Sequence, residues 1–133
     1  MDFVSVRIIT DHVRRLVEFY EQSLQTAAAW STPDFAELST PSGTIAIAST
    51  RTVALFGADS ARPAANHSVI VEFRVADVDQ EYRRLAQLVD EFVQAPTTMP
   101  WGNRSLLFRD PDGNLVNFFT PVTVAAEKRQ SRP

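Results

Sequence analysis

Residues 99–119 read MPWGNRSLLFRDPDGNLVNFF. Two apolar runs flank Arg109-Asp110-Pro111-Asp112-Gly113-Asn114, and a Pro with Gly two residues later fits a type I turn closed by a glycine in the left-handed region. Residues 104–109 and 114–120 therefore read as a hairpin. The same device stands at an offset of 70, where Pro41-Ser42-Gly43-Thr44 joins two strands at 35–40 and 44–49. Each hairpin is preceded by a strand and a helix. Residues 3–9 alternate, with Val4, Val6 and Ile8 on one face and Phe3, Ser5, Arg7 and Ile9 on the other. Thr10 or Asp11 is placed to cap a helix whose Val13, Leu16, Val17, Phe19, Tyr20 and Leu24 recur at helical spacing. The pattern restarts at residue 68: Val69, Val71, Phe73 and Val75 oppose Ile70, Glu72 and Arg74. Asp77 caps the next helix, whose stripe is Val78, Tyr82, Leu85 and Leu88, and a short strand follows near Phe92-Val93.

The two halves are an internal repeat. Module one covers about 3–57, a linker rich in Ala, Pro, Asp and Ser covers 58–67, module two covers 68–121, and 122–133 form a polar tail expected to fray. Residues 52–57 read as an extra strand or an arm. A sheet with a helix on one face must bury its other face as well. The expected fold is a single α+β domain of two tandem βαβββ modules, a curved, barrel-like mixed sheet around a central cavity with the helices outside.

Composition bounds the function. The chain has 133 residues, a formal net charge of −3 and a pI near 5.3, with no basic stripe for nucleic acid or an anionic membrane. It has no cysteine, hence no disulfide, thiolate ligand or cysteine nucleophile. No signal peptide or long apolar span is legible, so the expected compartment is the cytoplasm.

The duplicated unit, the VEFYEQSL helix and the FRDPDGNLVNFF hairpin resemble the glyoxalase/bleomycin resistance/dioxygenase family, the vicinal oxygen chelate fold, over roughly 3–121. The resemblance implies a central ligand site and a homodimer. It also implies either metal enzymes or metal-free proteins that sequester a drug. The metal enzymes carry His, Gln or Glu at four cavity-facing positions, which fall here on Ser5, Ile47, Ile70 and Asn117. Another alignment puts Val4 first, and Val4 is no better a ligand. Divalent metals need stronger lone-pair donors, so no metal and no cofactor is expected. His12 and His67 read as surface or loop residues.

The expected cavity is apolar at Phe3, Ile9, Ile47, Ile70, Leu115 and Phe119, and polar at Ser5, Arg7, Glu72, Arg74 and Asn117. Arg7 and Glu72 occupy equivalent positions and either form a buried pair or contact ligand. A dry, unpaired Glu72 would serve as an acid or base. Trp101, in a Pro-Trp-Gly stretch found in some bleomycin-resistance-type members, either stacks on a planar ligand or pins its loop. The ligand-binding set is thus Ser5, Arg7, Ile70, Glu72, Trp101, Asn117 and Phe119. The expected function is metal-independent binding or sequestration of a small organic molecule. The alternatives are an enzyme of the same fold and an interaction module that reuses it.

Overall fold

The computed structural model describes residues 1–131; residues 132–133, the end of the expected polar tail, lie outside the described residues. The chain divides into two compact units, Met1–Asn66 and His67–Pro133, with the boundary inside the expected linker. Unit 1 runs β1 (Ser5–Thr10), α1 (Val13–Leu24), β2 (Ala29–Thr32), β3 (Phe35–Thr40), β4 (Gly43–Ser49) and α2 (Thr50–Val53). Unit 2 runs β5 (Ile70–Arg74), α3 (Val78–Leu85), β6 (Phe92–Thr98), β7 (Asn103–Arg109), β8 (Leu115–Pro121) and α4 (Val124–Gln130). The sheets have the same order, β1-β4-β3-β2 and β5-β8-β7-β6, with β1 parallel to β4 and β5 parallel to β8. The repeat legible in the hairpins is therefore a repeat of topology. Each unit is an open four-stranded sheet with helices, α+β as expected.

In unit 1, α1 buries Leu16, Val17, Phe19 and Tyr20 and packs on β3 and β4. Ile8, Ile45, Ile47, Leu38 and Ala36 share one sheet face by register, and the last four are buried. Val6 lies on that face as expected but stays 40% exposed, because β1 is an edge strand and α1 packs on its neighbours. Val4 precedes the strand and is exposed. In unit 2, α3 buries Val78 and Leu85. Its Tyr82 starts a run of edge-to-face rings: Tyr82–Phe92 at 4.9 Å, Phe92–Phe108 at 6.3 Å, Phe108–Phe118 at 5.1 Å and Phe118–Phe73 at 5.7 Å. Burying each phenyl ring contributes roughly 1.5–3 kcal/mol, and the quadrupoles favour these crossed geometries.

Several local expectations change. Asp77 caps α3 as read, its Oδ1 accepting from Asp79 N and Gln80 N at 3.1 and 3.2 Å. Neither Thr10 nor Asp11 caps α1; His12 is the cap residue without a side-chain bond, and Thr10 Oγ1 accepts only from His12 N, at 3.1 Å. Residues 52–57 form neither strand nor arm: α2 takes Thr50–Val53, begun by Ser49 accepting from Arg51 N at 3.2 Å. β6 is longer than expected and runs through Pro96, which an edge strand with irregular register tolerates because no partner needs the missing N–H. Most of the expected fraying tail is α4, capped by Thr123 and tied down by Arg129 Nη2 donating to the Trp101 carbonyl at 2.6 Å.

The first turn of α3 is tied to β7 by a bidentate pair, Arg104 Nε to Asp79 Oδ2 at 2.9 Å and Arg104 Nη2 to Asp79 Oδ1 at 3.0 Å. The Arg104 hydrogen bond holds the Asp79 carboxyl below its ordinary range, against a smaller opposing effect of desolvation. A carboxyl lowered by folding stabilises the fold above its unfolded pKa, about 4, and that contribution fades as pH falls through the lowered folded value. Arg104→Gln is thus expected to destabilise at neutral pH and to converge with the parent in strong acid. Melting curves between pH 7 and pH 2 check this; a constant gap across that range would refute it.

Candidate functional site

The aromatic run defines the helix-packed face of unit 2, so strand alternation defines the other. Register puts Glu72 opposite Asn117, Asn117 opposite Leu107, and Leu107 opposite Gln94. These four form one row across the sheet on the face away from α3. Ile70, Arg74, Leu115, Ser105 and Phe119 lie on the same face by the same pairings.

Asn117 Nδ2 donates to Glu72 Oε2 at 2.8 Å. A carboxylate only accepts, so this bond sets the orientation of the amide. The other end, Asn117 Oδ1, is buried with no hydrogen-bond partner among the described residues, and Asn117 is only 8% exposed. Gln94 Oε1 is likewise buried and unpartnered. A buried acceptor left unsatisfied costs about 1–3 kcal/mol. The row therefore combines a carboxylate with amide oxygens that the fold does not satisfy. Glu72 itself is exposed. This corrects the expectation of a dry carboxyl.

Unit 1 differs where it matters. Asp110 N donates to the Asn114 carbonyl at 3.0 Å, so the second hairpin turns through three residues, Pro111, Asp112 and Gly113. In the first hairpin Thr40 pairs with Gly43, leaving only Pro41 and Ser42 in the turn. Gly113 has φ +85, whereas Gly43 begins β4 outside the left-handed region. One extra residue in the second turn shifts the correspondence of the last strands by one, and a one-residue slip exchanges the faces. The counterpart of Asn117 is therefore Ala46, which pairs with Arg7 as Asn117 pairs with Glu72. Ile47, expected at the cavity, lies fully buried on the helix-packed face.

Arg7 is exposed, not part of a buried pair. Its guanidinium carbon lies 4.8 Å from the Phe35 ring centroid and 5.4 Å from that of Phe56, a cation–π clamp. Arg7, Phe35 and Phe56 line a recess of about 550 Å³ with Ser31, Thr32, Asp34, Arg51, Thr52 and Leu55. Asp34 and Arg51 satisfy each other through Nε at 3.0 Å and Nη2 at 2.5 Å, which holds the Asp34 carboxyl below its ordinary range. Arg7 has no carboxylate partner in its own unit. Ile9 does not line open space, because it packs with Ala48, Val53 and Phe35.

Structure thus brings Glu72 and Asn117 into contact and puts Ile70 and Phe119 on their face. Ser5 is half-buried and shares a sheet face with Arg7, while Phe3 is exposed ahead of β1. Trp101 sits on the β6–β7 turn, pinned through its carbonyl, with the residue 58% exposed. Phe35, Phe56 and Gln94 had escaped sequence reasoning. The two phenylalanines carry no local signal beyond being apolar, and Gln94 reaches its row through a register irregularity that no periodicity records.

With Ala46 in place of Ile47, the four positions that the resemblance assigns to metal ligands hold a hydroxyl, two alkyl groups and an amide already bonded to Glu72. Such a donor set does not fit a divalent transition metal. Among the described residues no group of three or more His, Asp or Glu side chains stands together to supply another site. His12 and His67 are both exposed.

Comparison with known proteins agrees with this architecture. The model of the Glyoxalase/Bleomycin resistance protein/Dioxygenase superfamily matches residues 2–118. YraH of Bacillus subtilis (strain 168), an uncharacterized protein, is 27% identical over 125 residues, covering 90% of this chain and 98% of YraH. A glyoxalase/bleomycin resistance protein/dioxygenase family enzyme from Burkholderia phytofirmans PsJN superposes with a TM-score of 0.82 at 19% identity, covering 92% of this chain and all of that one. TioX from Micromonospora sp. ML1 superposes at 0.69 and 22% identity, covering 92% of this chain and all of TioX. Among the described residues no helix is long and apolar enough to cross a membrane. Duplicated topology, the Asp-Pro-Asp-Gly hairpin and the match over residues 2–118 agree, and the chain belongs to the glyoxalase/bleomycin resistance protein/dioxygenase superfamily.

Proposed function

We propose that this protein binds a small organic molecule directly through its side chains, without a metal, on the sheet faces turned away from α1 and α3. One observation carries the reading: Asn117 is nine-tenths buried, its orientation is set by Glu72, and its carbonyl oxygen has no partner among the described residues. A residue kept only for packing would not carry an unsatisfied acceptor, because leucine would fill the same strand position at lower cost. The recess at Arg7, Phe35 and Phe56 adds support, since its volume is within the range of small-molecule sites. Binding would draw on Ser5, Arg7, Ile70, Glu72, Asn117 and Phe119, with Trp101 at a loop edge. The reading includes a homodimer, supported by the exposed Leu55 and Phe56 and checked by light scattering.

Asn117→Leu separates function from structure. The variant removes the buried orphan, and Glu72, being exposed, recovers its lost hydrogen bond from water. Its stability is expected to equal the parent's or exceed it by about 1 kcal/mol, while ligands found by thermal-shift screening of the parent lose their effect. A ligand that binds only the folded state must raise the melting temperature. A variant that loses stability and still responds to those ligands would give Asn117 a packing role instead.

A further inference from the structure

The row Glu72–Asn117–Leu107–Gln94 is selective in hydrogen-bond sense as well as polar. Its charged member is an anion, and the atoms it leaves unpartnered, Asn117 Oδ1 and Gln94 Oε1, are acceptors. Both arginines of the same face are occupied. Arg74 Nη1 donates to the Gln130 carbonyl at 2.5 Å, while Arg109 donates to the Gly113 carbonyl at 3.2 Å and lies 3.6 Å from Glu91. Among the described residues, no cation of its own unit pairs with Glu72. A ligand seated here meets an exposed carboxylate beside a buried amide oxygen, and both accept only N–H or O–H donors. It then crosses an apolar patch at Leu107 before reaching a second orphan acceptor.

We propose that this face takes the cationic, N–H-bearing end of an organic ligand, an amidine, guanidine or primary ammonium group, with an apolar body lying over Leu107 toward Gln94. The inference rests on the small-molecule reading above and adds the ligand's charge and donor class. A planar amidinium presents several N–H donors to a carboxylate and a neighbouring carbonyl oxygen together, which a single hydroxyl does not. An anionic ligand would meet Glu72 by repulsion and leave Asn117 Oδ1 unsatisfied. Neighbouring strands are about 4.8 Å apart, so the row from β5 to β6 spans roughly 14 Å, enough for a head group and one or two rings.

The test is an NMR titration of the full chain with benzamidine and 4-phenylbenzamidine. The corresponding carboxylates, benzoate and 4-phenylbenzoate, and neutral benzamide serve as isosteres. The amidines are expected to shift the side-chain amide resonances of Asn117 and Gln94, and the biphenyl compound to bind more tightly. Glu72→Gln, at an exposed position, should leave the unliganded melting temperature unchanged and weaken amidine binding tenfold or more. Equal binding of amidines by Glu72→Gln and the parent would overturn the proposal. If benzoate or benzamide shifts Asn117 as strongly as benzamidine, the charge class is wrong while small-molecule binding stands. If none of the five perturbs Asn117 and thermal-shift screening also finds no ligand, both readings fall.

Discussion

Asp110→Ala is expected to lower the stability of the folded chain by about 3 kcal/mol. Asp110 is 4% exposed and organises the whole second turn. Its Oδ1 accepts from Asp112 N and from Asn114 N, both at 2.9 Å, and its Oδ2 accepts from Asn114 Nδ2 at 2.8 Å. Hydrogen bonds to a charged group contribute about 1.5–3 kcal/mol each, and alanine removes three acceptor contacts together. Water reaches part of the turn and recovers some of that loss, which is why the expected total is smaller than the sum. Asp110→Asn retains an acceptor for the backbone amides and should lose about half as much. Urea denaturation of the three proteins is the measurement. An alanine variant within about 0.5 kcal/mol of the parent, the range of ordinary surface changes, would show that Pro111 and Gly113 alone hold the turn. Because this turn sets the register of β8, a destabilised variant that still folds should also lose its response to ligands of the parent.

Gly102→Ala is expected to cost about 3 kcal/mol or more, through a different mechanism. Gly102 has φ +91, a conformation that L side chains rarely adopt, and a Cβ built there would stand 2.1 Å from Thr123 Oγ1 and 3.1 Å from Ala126 Cβ. Thr123 is the cap of α4, its Oγ1 accepting from Ala126 N at 3.2 Å, so the side chain cannot swing away without giving up that bond. The Gly102 carbonyl also accepts from Val122 N at 2.9 Å, which ties the Trp101 turn to the end of β8. Thr123→Ala alone should cost about 1 kcal/mol, the usual loss for a helix cap. Combined with Gly102→Ala it should cost less than the sum of the two singles, because the clash with Oγ1 is gone while the backbone strain and the contact with Ala126 remain. Strict additivity would mean that the steric contact contributes nothing.

Most of the architecture was legible along the chain because it depends on local pattern. Alternation placed β1 and β5, helical spacing placed α1 and α3, and two Pro-Gly turns exposed the duplication. The site was legible only in part. Glu72 and Asn117 share a face by period two, and the structure brings them into hydrogen-bond contact. Ile47 was the error, and its cause was one residue. The two turns look equivalent as Pro-Ser-Gly and Pro-Asp-Gly, yet only the second takes its glycine into the left-handed region and lengthens the loop. Arg7 shows a second limit. Its equivalence to Glu72 invited a buried ion pair, whereas the structure clamps it between Phe35 and Phe56, aromatic groups 28 and 49 positions further along the chain.

By itself, the sequence determined the two βαβββ units, the helix-packed faces of β1 and β5, and the family. These follow from side-chain identity and short periods, which act over a few residues. Tertiary structure decided which residue of β4 stands opposite Arg7, that Glu72 stays open to solvent, and that the Asn117 and Gln94 oxygens are left without donors. Those depend on strand register and on what neighbouring strands and helices can reach. A hydrogen bond withheld from a buried oxygen is a property of the packed fold, and no stretch of sequence carries it.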